Sequence, residues 1–184
     1  MTDVAYTLSR PTLDDLPDYA RLHSDPAVWQ HFPSGRHTSV EQSREGLERD
    51  IADWDRDDLG FWIVRAADDT IVPRGQLLGV AGCRAAHDSL FWNLYYRLSP
   101  RAQGHGLARR LGQEAITAAN RTRADRPVVA YLLEHNHASR RTAERVGLTL
   151  QWRGPDAGNP DPTAVRLVFA DRPLSPAVLS ALTP

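Results

Sequence analysis

The sequence predicts an α+β (α/β) protein in which a sheet of six to seven strands, three of them a meander, is flanked by about four helices. Three observations predict it. Short apolar runs bounded by Gly, Pro and Asp alternate with stretches of helical period. Three such runs follow one another mid-chain, and a glycine-rich turn separates the last of them from a long helical segment. A chain of 184 residues suits one domain with a real core. The expected domain is 1–184, with its core at about 4–170 and a C-terminal tail over 171–184.

Val4 to Leu8 reads as a first strand, after which Thr12 caps a helix whose first turn carries acids. Ser39 and Gln42 have capping-box spacing and open a second helix, on which Leu47, Ile51 and Trp54 share one face. The period then changes. Phe61–Val64, Leu77–Cys83 and Leu90–Tyr96 form the meander, separated by polar turns. After the turn Arg101–Gly106, Leu107, Leu111 and Ala115 lie on one helical stripe. Pro127–Leu133 reads as a buried strand, and Ala138–Val146 as a short helix closed by Gly147. Leu148–Trp152 and Thr163–Phe169 are the last strands, joined by the loop Gly154–Pro162.

Composition removes several functions. With 22 basic residues, all arginine, against 23 acidic ones, the net charge is −1, which argues against nucleic acid and anionic membranes as partners. The longest uncharged stretch, Pro173–Pro184, contains three prolines and falls short of the ~20 apolar residues of a membrane span. The start MTDVAYTLSR lacks a basic n-region, so no secretory signal is expected. Cys83 alone cannot form an internal disulfide; with no signal, it fits a cytoplasmic location. It lies in a Gly/Ala/Val run and reads as core rather than nucleophile. Glu134-His-Asn-His137 lacks metal-ligand spacing, so no metal is expected.

Chemistry concentrates in Leu98-Ser-Pro-Arg101-Ala-Gln103-Gly104-His105-Gly106-Leu107-Ala108, between a strand and a helix. Glycines let backbone N–H groups turn inward together, and a helix start adds unpaired donors, a combination suited to phosphate. A Walker loop needs a lysine, and this chain has none. A dinucleotide fingerprint needs a small residue where Arg109 stands and a βαβ unit in place of the meander.

What remains, Arg101-x-x-Gly104-x-Gly106 followed by Leu-Ala, resembles motif A of the Gcn5-related N-acetyltransferases (GNAT). Asn136-x-x-Ser139 followed by Arg145-Val-Gly-Leu148 is similar to that family's second signature. The opening LSRPTLDDLPDYARLHSDPAVWQHFP resembles the branch that acetylates ribosomal-protein N-termini. The resemblance spans about Tyr6 to Phe169. It implies a mixed, mostly antiparallel sheet splayed between strands 4 and 5, and direct acetyl transfer from acetyl-CoA to a primary amine of a protein N-terminus or small molecule. Backbone amides from Gln103 through His105 to Ala108 would hold the pyrophosphate, with help from Arg101. The pantetheine arm would pair with Tyr96, Arg97 and Leu98, and Asn136 would both cap its helix and touch that arm.

For the thiolate proton the resemblance points to Ser139, with Tyr131 or Tyr96 as alternatives. Relatives often carry a Glu as base where this chain has Asn93, which cannot take a proton. The amine's proton would then pass to a water chain, Glu134, His31 or His87, unless the acceptor arrives neutral. Trp29, His31, Phe32 and Trp152 would wall the acceptor slot, where Asp156 and Asp161 could attract a cationic amine; core aromatics and exposed turn acids explain the same letters. A homodimer is left open. Asn93 also keeps a second function in view, a catalytically idle module that binds acyl-CoA as a sensor or partner.

Overall fold

The computed structural model describes residues 4–183. Seven strands form one sheet: β1 (Tyr6–Ser9), β2 (Phe61–Ala66), β3 (Leu77–Ala86), β4 (Phe91–Leu98), β5 (Val128–Leu133), β6 (Thr149–Pro155) and β7 (Val165–Ala170). Their order is β1-β2-β3-β4-β5-β7-β6. All neighbours are antiparallel except β4 and β5, which run parallel and are in register only at Trp92↔Val128 and Asn93↔Val129. Beyond those pairs the strands diverge. The expected splay is therefore present, and it begins at Asn93.

Five helices flank the sheet: α1 (Leu16–Ser24), α2 (Val40–Asp57), α3 (Leu107–Thr122), α4 (His137–Arg145) and α5 (Pro176–Leu182). The meander's alternation assigns the two faces. On one, Trp92 and Leu94 pack against Ala115 and Ala119 of α3 and Ala143 of α4. On the other, Phe61, Ile63 and Val80 pack against Leu16 and Leu22 of α1 and Leu47 of α2. Cys83 is fully buried in the first core, and burial pushes its thiol well above the usual range. That agrees with a core role.

Local chemistry explains the helix starts, with two departures from the expected pattern. Thr12 and Asp15 do form a reciprocal box, but around a single 3-10 turn, Leu13–Asp15, and α1 begins only at Leu16. Ser39 Oγ accepts from Gln42 N–H, as its spacing predicts; the Gln42 side chain reaches one residue further back and accepts from Thr38 N–H. The region expected as a tail carries α5, whose Val178 and Leu182 pack on Phe91, Val129 and Val168. Arg166 Nη1 donates to Leu182 O at 3.0 Å and ties the helix down. Residues 173–184 were legible only as uncharged and proline-containing, because Ser175-Pro176 is a short capping signal with about two helical turns after it. Among the described residues, no helix is long and apolar enough to cross a membrane.

Candidate active site

The diverging ends of β4 and β5 open a cleft of about 990 Å³. At its mouth stands the turn before α3. Gly104 and Gly106 adopt φ of +82° and +76°, a left-handed conformation that glycine tolerates without strain. A Cβ at Gly104 would meet no atom within 4 Å, so the backbone there is open to an incoming group. Gly106 occupies the N-cap of α3 and offers no side-chain cap, leaving the first-turn N–H groups unpartnered by side chains. Gln103 Nε2 donates to Leu98 O at 3.1 Å and fastens the turn to the end of β4. Gln103, Gly104, Gly106, Leu107 and Ala108 line the cleft; the side chains of Arg101 and His105 do not.

Along the splayed part of β4, residues 94–98 pair with β3 on one side and have no strand partner on the other. An extended ligand bearing amides could add itself there as a strand. Acetyl-CoA, which the resemblance implies, fits this donor set: a strand edge for its pantetheine amides and a bare glycine turn for its phosphates. The side chains of β4 divide between the two faces. Tyr96 and Leu98 face α3, whereas Asn93, Tyr95 and Arg97 face α1, α2 and the loop 25–37 between them.

Tyr96 and Ser139 meet in the cleft. Tyr96 Oη lies 3.0 Å from both the Ser139 carbonyl oxygen and Ser139 Oγ. Burial holds the Tyr96 phenol above its ordinary value, so it stays protonated and can donate. The serine is fixed from the other side as well, because Asn136 Oδ1 accepts from Ser139 N–H at 3.1 Å as the cap of α4. Tyr131 lines the cleft but is exposed and lies beneath the Arg166 guanidinium, 5.7 Å from its ring centroid.

The base candidates divide sharply. Asn93 is 8% exposed and lies at the fork itself. Glu134 is held by Arg153 through two bonds of 2.7 and 2.9 Å, which keep its carboxyl below the usual range, and it does not line the cleft. His31 does line it. Burial, and then the nearby Arg97 charge, push its pKa down to about 4, so the ring is neutral at pH 7 and a weak base. His87 stacks on Phe91 at the β3–β4 turn and lines a smaller recess beside the cleft.

The side of the cleft where the acceptor was expected is aromatic. The Trp29 and His31 rings are nearly parallel, with centroids 6.4 Å apart, and Phe32 stands beside them. Gly35 makes this packing possible: a Cβ there would come within 2.5 Å of both Phe32 and Trp29. His135 Nε2 lies 2.7 Å from His31 O and bridges from the end of β5 to the wall. Asp156 is already engaged, by Arg166 and by Asn159 Nδ2 at 2.7 Å. Its charge is neutralised by the chain, so the expected attraction of a cationic amine loses its carboxylate. Asp161 accepts from Thr163 and does not line the cleft.

Two groups escaped the sequence reading. Arg97 was expected to serve the cofactor through its position on β4, but its side chain crosses to the acceptor wall and stacks over Trp29, 3.4 Å from the ring centroid. Asp50 of α2 is 3% exposed, accepts from Tyr19 Oη at 2.9 Å and is pushed up to about 6, mainly by burial. Nothing local marks either one, since both depend on packing between segments far apart in the chain.

Residues 6–149 match the family model of the acetyltransferase (GNAT) domain. A comparison with curated protein sequences finds no match. Among solved structures, an acetyltransferase from Agrobacterium tumefaciens str. C58 is similar over 92% of each chain, with 23% identity and a TM-score of 0.70. RimL ribosomal L7/L12 α-N-protein acetyltransferase, solved with coenzyme A, is 18% identical over 92% of this chain and 94% of its own, with a TM-score of 0.73. Spermidine N-acetyltransferase from Vibrio cholerae, solved with CoA and spermine, is 15% identical over 90% of this chain and 94% of its own, with a TM-score of 0.71. Fold and family model together define an acetyltransferase. The chain belongs to the GNAT family of acetyl-CoA-dependent N-acetyltransferases.

Proposed function

We propose that the protein transfers the acetyl group of acetyl-CoA directly to a primary amine, of a protein N-terminus or a small molecule, in a ternary complex. One observation carries the reading: the sheet forks at its single parallel junction, and an open glycine turn stands at the mouth of the fork. Acetyl-CoA supplies a thioester whose carbonyl carbon the neutral amine attacks, so no enzyme nucleophile is needed. The main chain of Tyr96 to Leu98 orients the donor, and the amides of Gln103 to Ala108 hold its phosphates. Ser139 Oγ, with Tyr96 Oη 3.0 Å away, gives the proton to the departing thiolate. Asn93 takes no proton. With Glu134 bound by Arg153 and His31 a weak base, the amine's proton leaves to cleft water.

Isothermal titration with acetyl-CoA, followed by a free-thiol assay over an amine panel, tests this reading. Binding with turnover is the expected result. Absence of binding overturns it, and binding without turnover on a broad panel favours the idle module that Asn93 suggests. A cytoplasmic location, with neither nucleic acid nor membrane as partner, accompanies the proposal.

A further inference from the structure

The charges of the cleft are strongly one-sided, although the whole chain is nearly neutral at −1. Among the described residues its lining includes Arg84, Arg97, Arg109, Arg141, Arg145 and Arg166, and Asp156 as the only carboxylate. Five of these cations sort by place. Arg109 and Arg141 are exposed on α3 and α4 beside the glycine turn, on the face where the phosphates of the donor would lie. Arg145, at the end of α4, is exposed on that same side. Arg166 is neutralised by Asp156. Arg84 faces α2, with Asp50 at 3.5 Å and Asp53 at 3.7 Å.

Arg97 is different. No carboxylate among the described residues lies within ion-pair distance of it. Its Nε donates to Tyr95 Oη at 2.5 Å and its Nη1 donates to Val28 O at 3.4 Å, while the guanidinium carbon sits 3.4 Å from the Trp29 ring centroid. Among the described residues, Nη2 has no hydrogen-bond partner. The same indole is short of an acceptor, since Trp29 Nε1 is buried with none. A half-buried cation, held by two hydrogen bonds and an aromatic ring and left without a counter-charge among the described residues, is a preorganised receptor for an anionic oxygen group.

We propose that Arg97 is a specificity residue for the acceptor, and that the amine acetylated here carries a carboxylate or phosphate group close to the amine. The inference rests on the reading of this cleft as an acetyltransferase site. It separates that reading's open acceptor class, because a polycationic amine would meet Arg97 with no free carboxylate in the cleft to offset it. The charge of Arg97 also bears on its neighbours: it helps to keep His31 and His37 neutral. The wall therefore carries one fixed cation rather than a diffuse titrating patch.

The test uses the full chain, acetyl-CoA and matched acceptors, with free thiol as the readout. Apolar α-amino acids are compared with their carboxamides and their decarboxylated amines. A 1-aminoalkylphosphonate supplies the phosphate-like arm, and short peptides with Asp or Asn at the second position extend the comparison to N-termini. Expected is a kcat/KM at least about tenfold higher for the anionic member of at least one matched set, as for a hydrogen bond to a charged group. In Arg97→Gln that ratio should fall to near unity, and Arg97→Lys should keep part of it; circular dichroism checks that the variants fold. Acetyl-CoA binding with equal or better turnover of the neutral members, or no turnover of any anionic member, overturns the inference and leaves the donor reading standing. A ratio unchanged in Arg97→Gln overturns the assignment to Arg97. Absence of acetyl-CoA binding removes both.

Discussion

At the scale of single residues, the Tyr96–Ser139 pair is where the chemistry can be probed most directly. The tyrosine hydroxyl touches both the carbonyl and the Oγ of Ser139, so the two side chains share one proton network. Ser139→Ala should lower kcat by about 10²-fold with little change in the affinity for acetyl-CoA, as loss of a general acid does. Tyr96→Phe should cost a comparable factor, and the double variant little more than either, because groups acting as a unit are not additive. Steady-state kinetics of the three variants check this; an additive double variant would show that the pair does not act together. Ser139 was legible from the Asn136-x-x-Ser139 spacing. Its contact with Tyr96 was not, since the residues are 43 positions apart and only the splay of β4 brings them together.

At the scale of elements, the turn before α3 and the loop 25–37 build opposite walls of the cleft and should respond to substitution in different ways. Gly104→Asp places a carboxylate among amides suited to phosphate, and acetyl-CoA binding should fall below detection by calorimetry. Gly35→Ala acts on the acceptor side. Its new methyl group would come within 2.5 Å of both the Phe32 and the Trp29 ring, so both must shift. The acceptor KM should rise several-fold while acetyl-CoA affinity is held, an outcome that paired titration and kinetics would resolve. The glycine turn was plain in the sequence because a left-handed backbone at Gly104 and Gly106 requires glycine at fixed positions. Gly35 carried no such signal, as its role is to be absent from a space that two aromatic rings fill. The same reason hid Arg97, whose letter on a strand says nothing of the ring it will lie on.

At the scale of the molecule, one buried histidine and two half-buried ones set the response to acid. His23 is pushed down to about 3 by burial, His31 to about 4, and His37 is lowered as well, from an ordinary value of 6.5. Each binds a proton less readily folded than unfolded. The unfolded state therefore takes up more protons as pH falls below about 6.5, and stability declines through that window. Asp50, raised to about 6, works in the opposite sense, because the folded protein holds that proton more tightly. The histidines outnumber it, so the denaturant midpoint should fall between about pH 7 and pH 5, and His23→Phe should flatten the decline. A midpoint that rises toward pH 5 would contradict this balance. The order of strands and helices was readable from periodicity, but the sheet order was not: β7 lies between β5 and β6, and no local pattern encodes that exchange.

The fork also has a consequence for how the molecule holds together. A sheet ordinarily exposes two edges; this one carries two more in its interior, along β4 beyond Asn93 and along the facing length of β5. Open edges invite adventitious strand pairing, and proteins usually blunt them with charge or cover. Here the interior edges lie between α3, α4 and the wall of loop 25–37, spanned at one point by His135 and His31 O. A donor bound there would serve as an eighth strand and as a suture between the two halves of the sheet, and every turnover would unpick it.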